Sequence, residues 1–239
     1  MKVLSFGGGV QTTALAILAT RREVEVDSVV FADLEAEKPE TYWYLENYTK
    51  PLLEEAKIPF NLVAGQIQGR IKRTIIEHTY FYRVIPSVSR RWCSVQFKVR
   101  PIAATLGPDD VKLIGFSADE LLRAQRAKHP ASYPLIDLRL SSIDCQRIIT
   151  DWGWPIPVKS SCFFCPFQRR GEWNWLKRRH PDLFQAALAM EARFYERRPD
   201  LREREGLFGG RPLWRFAEGI QAELPLSLDR SCWTGDCGR

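Results

Sequence analysis

The chain has 239 residues, 45% of them hydrophobic, with a formal net charge of +6 and six cysteines. That length and apolar content bury one substantial core, as one large domain or a domain with an appendage, and no apolar run is long enough to span a bilayer. Met1 and Lys2 lead straight into a strand-like run without the pattern of an export signal, so a cytoplasmic protein with no membrane partner is expected. There, cysteines read as thiols, metal ligands or catalysts and not as a disulfide framework.

Taken in chain order, residues 3–6 form a short apolar strand that runs through Gly7-Gly8-Gly9 into a helical pattern over 12–21. Three glycines let the backbone approach a ligand closely, and the free N–H groups of the helix start, with the Thr12 and Thr13 hydroxyls, can cradle phosphate oxygens. The expected ligand is a nucleotide. Neither a G-x-x-x-x-G-K-[ST] loop nor a G-x-G-x-x-G fingerprint with a ribose-binding acid is present.

Further apolar, β-branched runs at 26–31, 60–63 and 111–114 read as parallel strands covered on both faces. Helical patterns fill the gaps at 40–56, with Pro51 as a break or kink, at 68–78 and at 96–105. Alternating strands and helices predict an α/β fold, a doubly wound and mostly parallel sheet with its ligand site beyond the carboxyl ends of the strands. Between positions 67 and 100 stand Arg70, Lys72, Arg73, Arg83, Arg90, Arg91, Lys98 and Arg100 against the single acid Glu77. Interleaved Tyr80, Phe81, Tyr82, Trp92 and Phe97 either stack on bases of a nucleic acid or belong to the core beneath a solvated basic face.

After residue 142 the pattern turns to helices and loops. Residues 142–152 read as one helix, and His180-Pro181-Asp182 opens another whose apolar face holds Leu183, Phe184, Ala187, Leu188, Phe194 and Tyr195 until Pro199 stops it. From residue 206 onward a tail with little periodicity is expected to pack over something. Two regions follow, a nucleotide-binding α/β domain over 1–141 and a helical, cysteine-containing region over 142–239.

Several motifs stand in a telling order. Gly7-Gly8-Gly9-Val10-Gln11-Thr12 is followed by Phe31-Ala32-Asp33, Pro39-Glu40-Thr41-Tyr42, Arg90-Arg91-Trp92-Cys93 with Lys98 and Pro101, and Gly115-Phe116-Ser117-Ala118-Asp119-Glu120 with Arg123. Together they resemble the phosphoadenosine phosphosulfate (PAPS) reductase family of the adenine nucleotide α-hydrolase superfamily, whose pyrophosphate loop (PP-loop) reads S-G-G-x-D-S. Gly7 stands for the usual Ser, Gln11 for Asp and Thr12 for the closing Ser. Ala32-Asp33-Leu34 departs from D-T-G, and Phe116 takes the place of an Arg.

The resemblance implies an adenine nucleotide, ATP or PAPS, held by Ser5, Gly7, Gly8, Gly9, Gln11, Thr12 and Thr13, with Mg²⁺ if the substrate is ATP. Asp33 is then a ribose or adenine contact or a helix cap. Arg90, Arg91, Lys98, Arg100 and Arg123 are candidates for phosphate or sulfate, and Glu120 is expected to orient Arg123.

Cys162-Phe163-Phe164-Cys165-Pro166 is a C-x-x-C-P pair whose spacing lets both sulfurs face one metal or cluster. By resemblance Cys93, Cys162, Cys165 and Cys232 are ligands of a 4Fe-4S cluster, with Zn²⁺ as the alternative, and Cys237 is the catalytic nucleophile. The roles of Cys232 and Cys237 are interchangeable at this level. A working cysteine needs a thiolate, and the arginine-rich segment is the expected source of the stabilising field. Cys145 reads as core, and His78, His129 and His180 as structural.

Three functions compete. One is a sulfonucleotide reductase in which Cys237 attacks sulfur, the adenylate leaves and a thioredoxin-type reductant releases sulfite. The second is an ATP pyrophosphatase that activates DNA or tRNA for thiolation, with sulfur from a cysteine desulfurase. The third is a non-enzymatic, zinc-stapled nucleic-acid-binding module.

Overall fold

A computed structural model describes residues 1–64, 73–125 and 131–219. The first strand, β1 (Lys2–Phe6), leads into α1 (Val10–Thr20), and β2 (Ser28–Asp33) is followed by α2 (Pro39–Tyr44) and α3 (Lys50–Glu55). Next come β3 (Phe60–Ala64), α4 (Ile75–Tyr82), α5 (Trp92–Ser94), α6 (Arg100–Ala103) and β4 (Val111–Ile114). The remainder is helical: α7 (Leu121–Gln125), α8 (Pro134–Asp137), α9 (Ser142–Asp151), α10 (Arg170–Arg179), α11 (Pro181–Arg197) and α12 (Leu213–Ala217). Among the described residues no helix is long and apolar enough to cross a membrane.

The strands form one parallel sheet in the order β3-β2-β1-β4, with Leu4 paired in register to Val29 on one side and Leu113 on the other. Alternate residues supply two cores. Leu4, Phe6, Val29 and Phe31 pack with α1, Leu52, Leu53 and α9, whereas Val3, Val30 and Ala32 pack with Phe97, Ile102, Phe163, Phe164 and the apolar residues of α10 and α11. Helices thus cover both faces of β1 and β2, which is why those strands read as continuous apolar runs, whereas the run at 60–63, expected to be covered on both faces, forms the edge strand β3 with Leu62 exposed. The doubly wound α/β fold is present, and the region beyond residue 142 contributes to both cores.

Pro51, expected to break or kink its helix, is absorbed instead, and so is Pro101. Pro51 and Pro101 each follow a π turn, Leu45–Thr49 and Val95–Val99, in which the N–H groups of Lys50 and Arg100 reach back five residues to the Leu45 and Val95 carbonyls. A widened turn makes room for the proline ring and tolerates its missing N–H, so the helix continues through it. Of the helix expected over 68–78, residues 68–72 lie outside the described residues; α4 starts at Ile75, because Thr74 and Glu77 close a capping box, and it runs on to Tyr82. No helix was expected at α10.

Cys145 lies fully buried beside α1, as expected. Burial above all, with Asp119 and Asp144 adding to it, pushes its thiol up to about 12. A folded pKa above the unfolded value of about 8.5 means that its stabilising contribution is complete below that pH and is lost as pH rises toward the folded value, by about 1.4 kcal/mol per unit. Urea denaturation between pH 8 and 10 will therefore show the parental chain losing about 2 kcal/mol that Cys145→Ala retains. Equal slopes for the two proteins would assign the loss to other groups.

Candidate functional site

The chain runs from β1 outward to β2 and β3, then crosses back to place β4 on the opposite side of β1. The strand connections diverge at that point, and a crevice opens at the carboxyl ends of β1 and β4. Gly7 to Gly9 leave β1 there, and Gly115 leaves β4.

Two of these glycines are required by close approach. Gly8 has φ +73°, and a Cβ on it would stand 2.9 Å from the Thr41 methyl group. A Cβ on Gly115 would stand 2.9 Å from the methyl group of Thr12. Gly9 caps α1 with no side-chain hydrogen bond, and the first turn of α1 carries no acid. The positive end of the helix and its first N–H groups therefore face the crevice without a side-chain cap.

The Thr12 hydroxyl donates to the Gly9 carbonyl at 3.1 Å and lies 3.4 Å from the Gly7 N–H, so it braces the loop itself. The buried hydroxyls of Thr13, Thr41 and Ser161 have no hydrogen-bond partner among the described residues. Orphan donors of this kind are unusual in a folded protein. Ser5 lies inside β1, paired across to Val30 and Ile114.

On the β4 side, Gln11 Nε2 donates to the Ser142 hydroxyl at 3.2 Å, and that hydroxyl donates to Asp119 at 2.7 Å. The Ser142 N–H also donates to Asp119, at 3.0 Å, and the Ser117 hydroxyl lies 3.1 Å from that of Ser142. Burial opposes the Asp119 charge, but the hydroxyls of Ser117 and Ser142 hold the carboxyl below its ordinary range. Gln11 thus ties the starts of α1 and α9 together across the crevice. Arg123 donates to Glu120 at 2.7 Å, the expected pairing, and lies 4.4 Å from the ring centre of Phe116, which stacks on Tyr133. Asp33 accepts from the Tyr42 hydroxyl at 2.6 Å and the Glu35 N–H at 2.8 Å, so it organises its own loop.

A second group of residues adjoins the glycine loop. The Ser160 hydroxyl donates to the Gly7 carbonyl. Two residues later Cys162 bridges to Glu37, and the Phe163 N–H donates to the Ala36 carbonyl at 2.9 Å. Two residues span at most about 7 Å, which keeps the cysteine pair beside the loop. Glu37 is fully buried, with one oxygen 2.8 Å from Lys98 Nζ and the other without a partner among the described residues. Burial works against the Lys98 ammonium, yet Glu37 and then Cys162 override it and push its pKa up.

Burial raises the pKa of Cys93, Cys162 and Cys165, that of Cys162 to well above the ordinary thiol range, with Glu37 adding to it. The field of Lys98 and the arginines therefore does not make thiolates of these three, because desolvation outweighs it. Cys162 feels the charge of Cys165 and Cys93, and Cys165 that of Cys93, but among the described residues no three His, Cys, Asp or Glu side chains close to metal-binding geometry. The three cysteines do not by themselves fit a cluster or zinc. Cys232 and Cys237 lie outside the described residues.

Arg91 lies 4.6 Å from the ring centre of Phe167, and Arg100 is exposed on α6. His180 pairs with Glu40 at 2.8 Å, and His78 packs among Tyr82, Trp92 and Phe97; His129 lies outside the described residues. Sequence reasoning missed Glu37, Lys38 and Ser160. Lys38 is buried, with Nζ 3.4 Å from the Lys159 carbonyl and 5.6 Å from the Trp175 ring, and burial lowers its pKa. The only signal for Ser160 was its place two residues before the C-x-x-C pair.

No protein-family model matches this chain, and no curated protein matches it. Among solved structures it is similar to the U34-tRNA thiolase NcsA of Methanococcus maripaludis, determined with its 4Fe-4S cluster. Identity is 16%, the match covers 85% of this chain and 72% of that one, and the TM-score is 0.40. The fold class rests on the strand order and the two helical layers described above.

Proposed function

We propose that this chain is an adenine-nucleotide-dependent sulfur-transfer enzyme that uses ATP. The observation that carries this reading is the hydrogen bond from Ser160 to Gly7, which joins the loop of the cysteine pair to the loop suited to phosphate. The first N–H groups of α1 would hold the nucleotide phosphates, with Gly8 and Gly115 leaving room for the loop to close on them. The choice of adenine follows the sequence resemblance to the PP-loop proteins.

In the reaction, an oxygen of the acceptor attacks the α-phosphorus of ATP and pyrophosphate leaves. A persulfide sulfur supplied by a cysteine desulfurase then displaces AMP from the activated carbon. A thioredoxin-type dithiol reduces the remaining disulfide link and releases the thiolated acceptor. Cysteines beside the loop relay that sulfur, with Cys237 of the tail as a further candidate. The sulfonucleotide reductase reading depends on Cys237.

Incubation of anaerobically purified protein with ATP and Mg²⁺, and separately with PAPS and a thioredoxin-type reductant, tests the proposal by product analysis. AMP and pyrophosphate from ATP are expected. Sulfite and adenosine bisphosphate from PAPS would replace this reading with the reductase one, and turnover of neither nucleotide would overturn both.

A further inference from the structure

The helix α4 divides two environments. Ile76 and Tyr80, four residues apart, line a cavity of about 560 Å³ together with Pro39, Tyr42, Phe163 and Leu183, whereas the next residues, Phe81 and Tyr82, are 64% and 43% exposed. Glu35 and Glu37 also line the cavity, and Glu37 is fully buried with its second carboxylate oxygen unpartnered among the described residues. Phe163 follows Cys162 directly, so the cavity abuts the cysteine pair. An aromatic-lined cavity takes a flat ring, and the exposed Glu35 at its edge can accept from an N–H donor on that ring.

Outside the cavity the surface has a second character. The Arg73 guanidinium lies 3.9 Å from the centre of the exposed Phe81 ring and 5.6 Å from that of Tyr82. Arg91 covers Phe167, itself 41% exposed. Arg73, Arg90 and Arg91 have no carboxylate partner among the described residues, and the one acid of α4, Glu77, is spent on capping Thr74. Exposed rings flanked by unpaired guanidinium groups form a stacking and phosphate-binding platform.

We infer that this face binds single-stranded nucleic acid, with one base inserted between Tyr42, Tyr80 and Phe163 and its neighbours stacked on Phe81 and Tyr82. A base that presents an amine edge can donate to Glu35, as carboxylates accept from the cytosine amine, and extrusion of a base into an aromatic pocket is how enzymes reach atoms hidden by stacking. An acidic peptide would match the arginines but would bring its carboxylates against Glu35 and Glu37. The inference deepens the sulfur-transfer reading, on which its catalytic meaning rests, by naming the acceptor. The binding itself stands on its own.

Fluorescence anisotropy with a labelled mixed-sequence single-stranded 12-mer tests it on the full chain. Binding is expected to weaken as salt rises, and Phe81→Ala is expected to weaken it about tenfold, the value of stacking one base, without change in melting temperature or in ATP turnover measured without the oligonucleotide. Ala186→Phe, which fills the cavity from α11, is expected to weaken the 12-mer by a similar factor while leaving the melting temperature in place. Parental affinity in both Phe81→Ala and Arg73→Glu would overturn the platform, and parental affinity in Ala186→Phe would overturn the pocket. Free cytidine bound as tightly as the 12-mer would replace nucleic acid with a small-molecule ligand. Oligonucleotide binding without nucleotide turnover would sink the proposed function and leave this inference standing.

Discussion

Glu191→Ala is expected to cost roughly 3–6 kcal/mol and to lower the melting temperature by about 10–20 °C. Glu191 is buried on α11, where its carboxylate accepts from the Leu207 and Leu213 N–H groups at 2.8 Å and from the Trp214 N–H at 3.1 Å. Burial pushes its pKa up, and these three donors, with the Tyr195 hydroxyl behind them, pull it back. Truncation to alanine strands three donors away from water, at about 1–3 kcal/mol each. The loss is a large fraction of a typical domain's stability.

The turn itself is built around the carboxylate. A Cβ on Gly206 would stand 2.4 Å from Glu191 Oε2 and 2.6 Å from the Arg211 carbonyl, so Gly206→Ala is expected to disturb the same latch. Thermal unfolding followed by circular dichroism provides the check. Glu191→Gln keeps the side-chain volume and one acceptor oxygen, so it should lose about half as much. Equal losses in both variants would show that shape and not hydrogen bonding carries the effect.

Gly8→Val is expected to weaken ATP binding by at least about a hundredfold, the equivalent of roughly 3 kcal/mol. A β-branched residue at φ +73° is strained by about 1–2 kcal/mol before any contact is counted, and its Cβ would drive into Thr41. The loop can escape only by rotating its N–H groups away from the helix start, which removes the anion site itself. Gly7→Ala supplies the contrast, since a Cβ there meets no atom within 4 Å and the fold should keep its melting temperature. Calorimetric titration of ATP into both variants decides the matter. Parental affinity in Gly8→Val would move the nucleotide away from this loop.

The aromatic residues of the basic segment show how far local pattern reaches. Phe97 is buried and Trp92 half-buried in the core, whereas Phe81 and Tyr82 stand exposed, and nothing in their spacing separates the two pairs. Helix α10 has a plain reason for going unread. Its buried residues are Trp173 and Leu176 alone, set among Arg170, Glu172, Asn174, Lys177, Arg178 and Arg179, so its apolar stripe is too narrow to stand out.

Sequence by itself determined the parallel sheet, because strands buried on both faces must be continuously apolar. It also determined the tight turn after β1, because only glycine combines positive φ with the close approach of Thr41. The neighbours of that loop were decided by tertiary structure alone. Ser160 reaches Gly7 across 153 positions and Lys98 reaches Glu37 across 61. Hydrogen bonds of that kind depend on where the topology sets two chain segments, and a serine or a lysine carries no local mark of the partner it will meet. The thiol pKa values follow the same rule, since desolvation by Glu37's layer of the core, and not the count of nearby arginines, sets them.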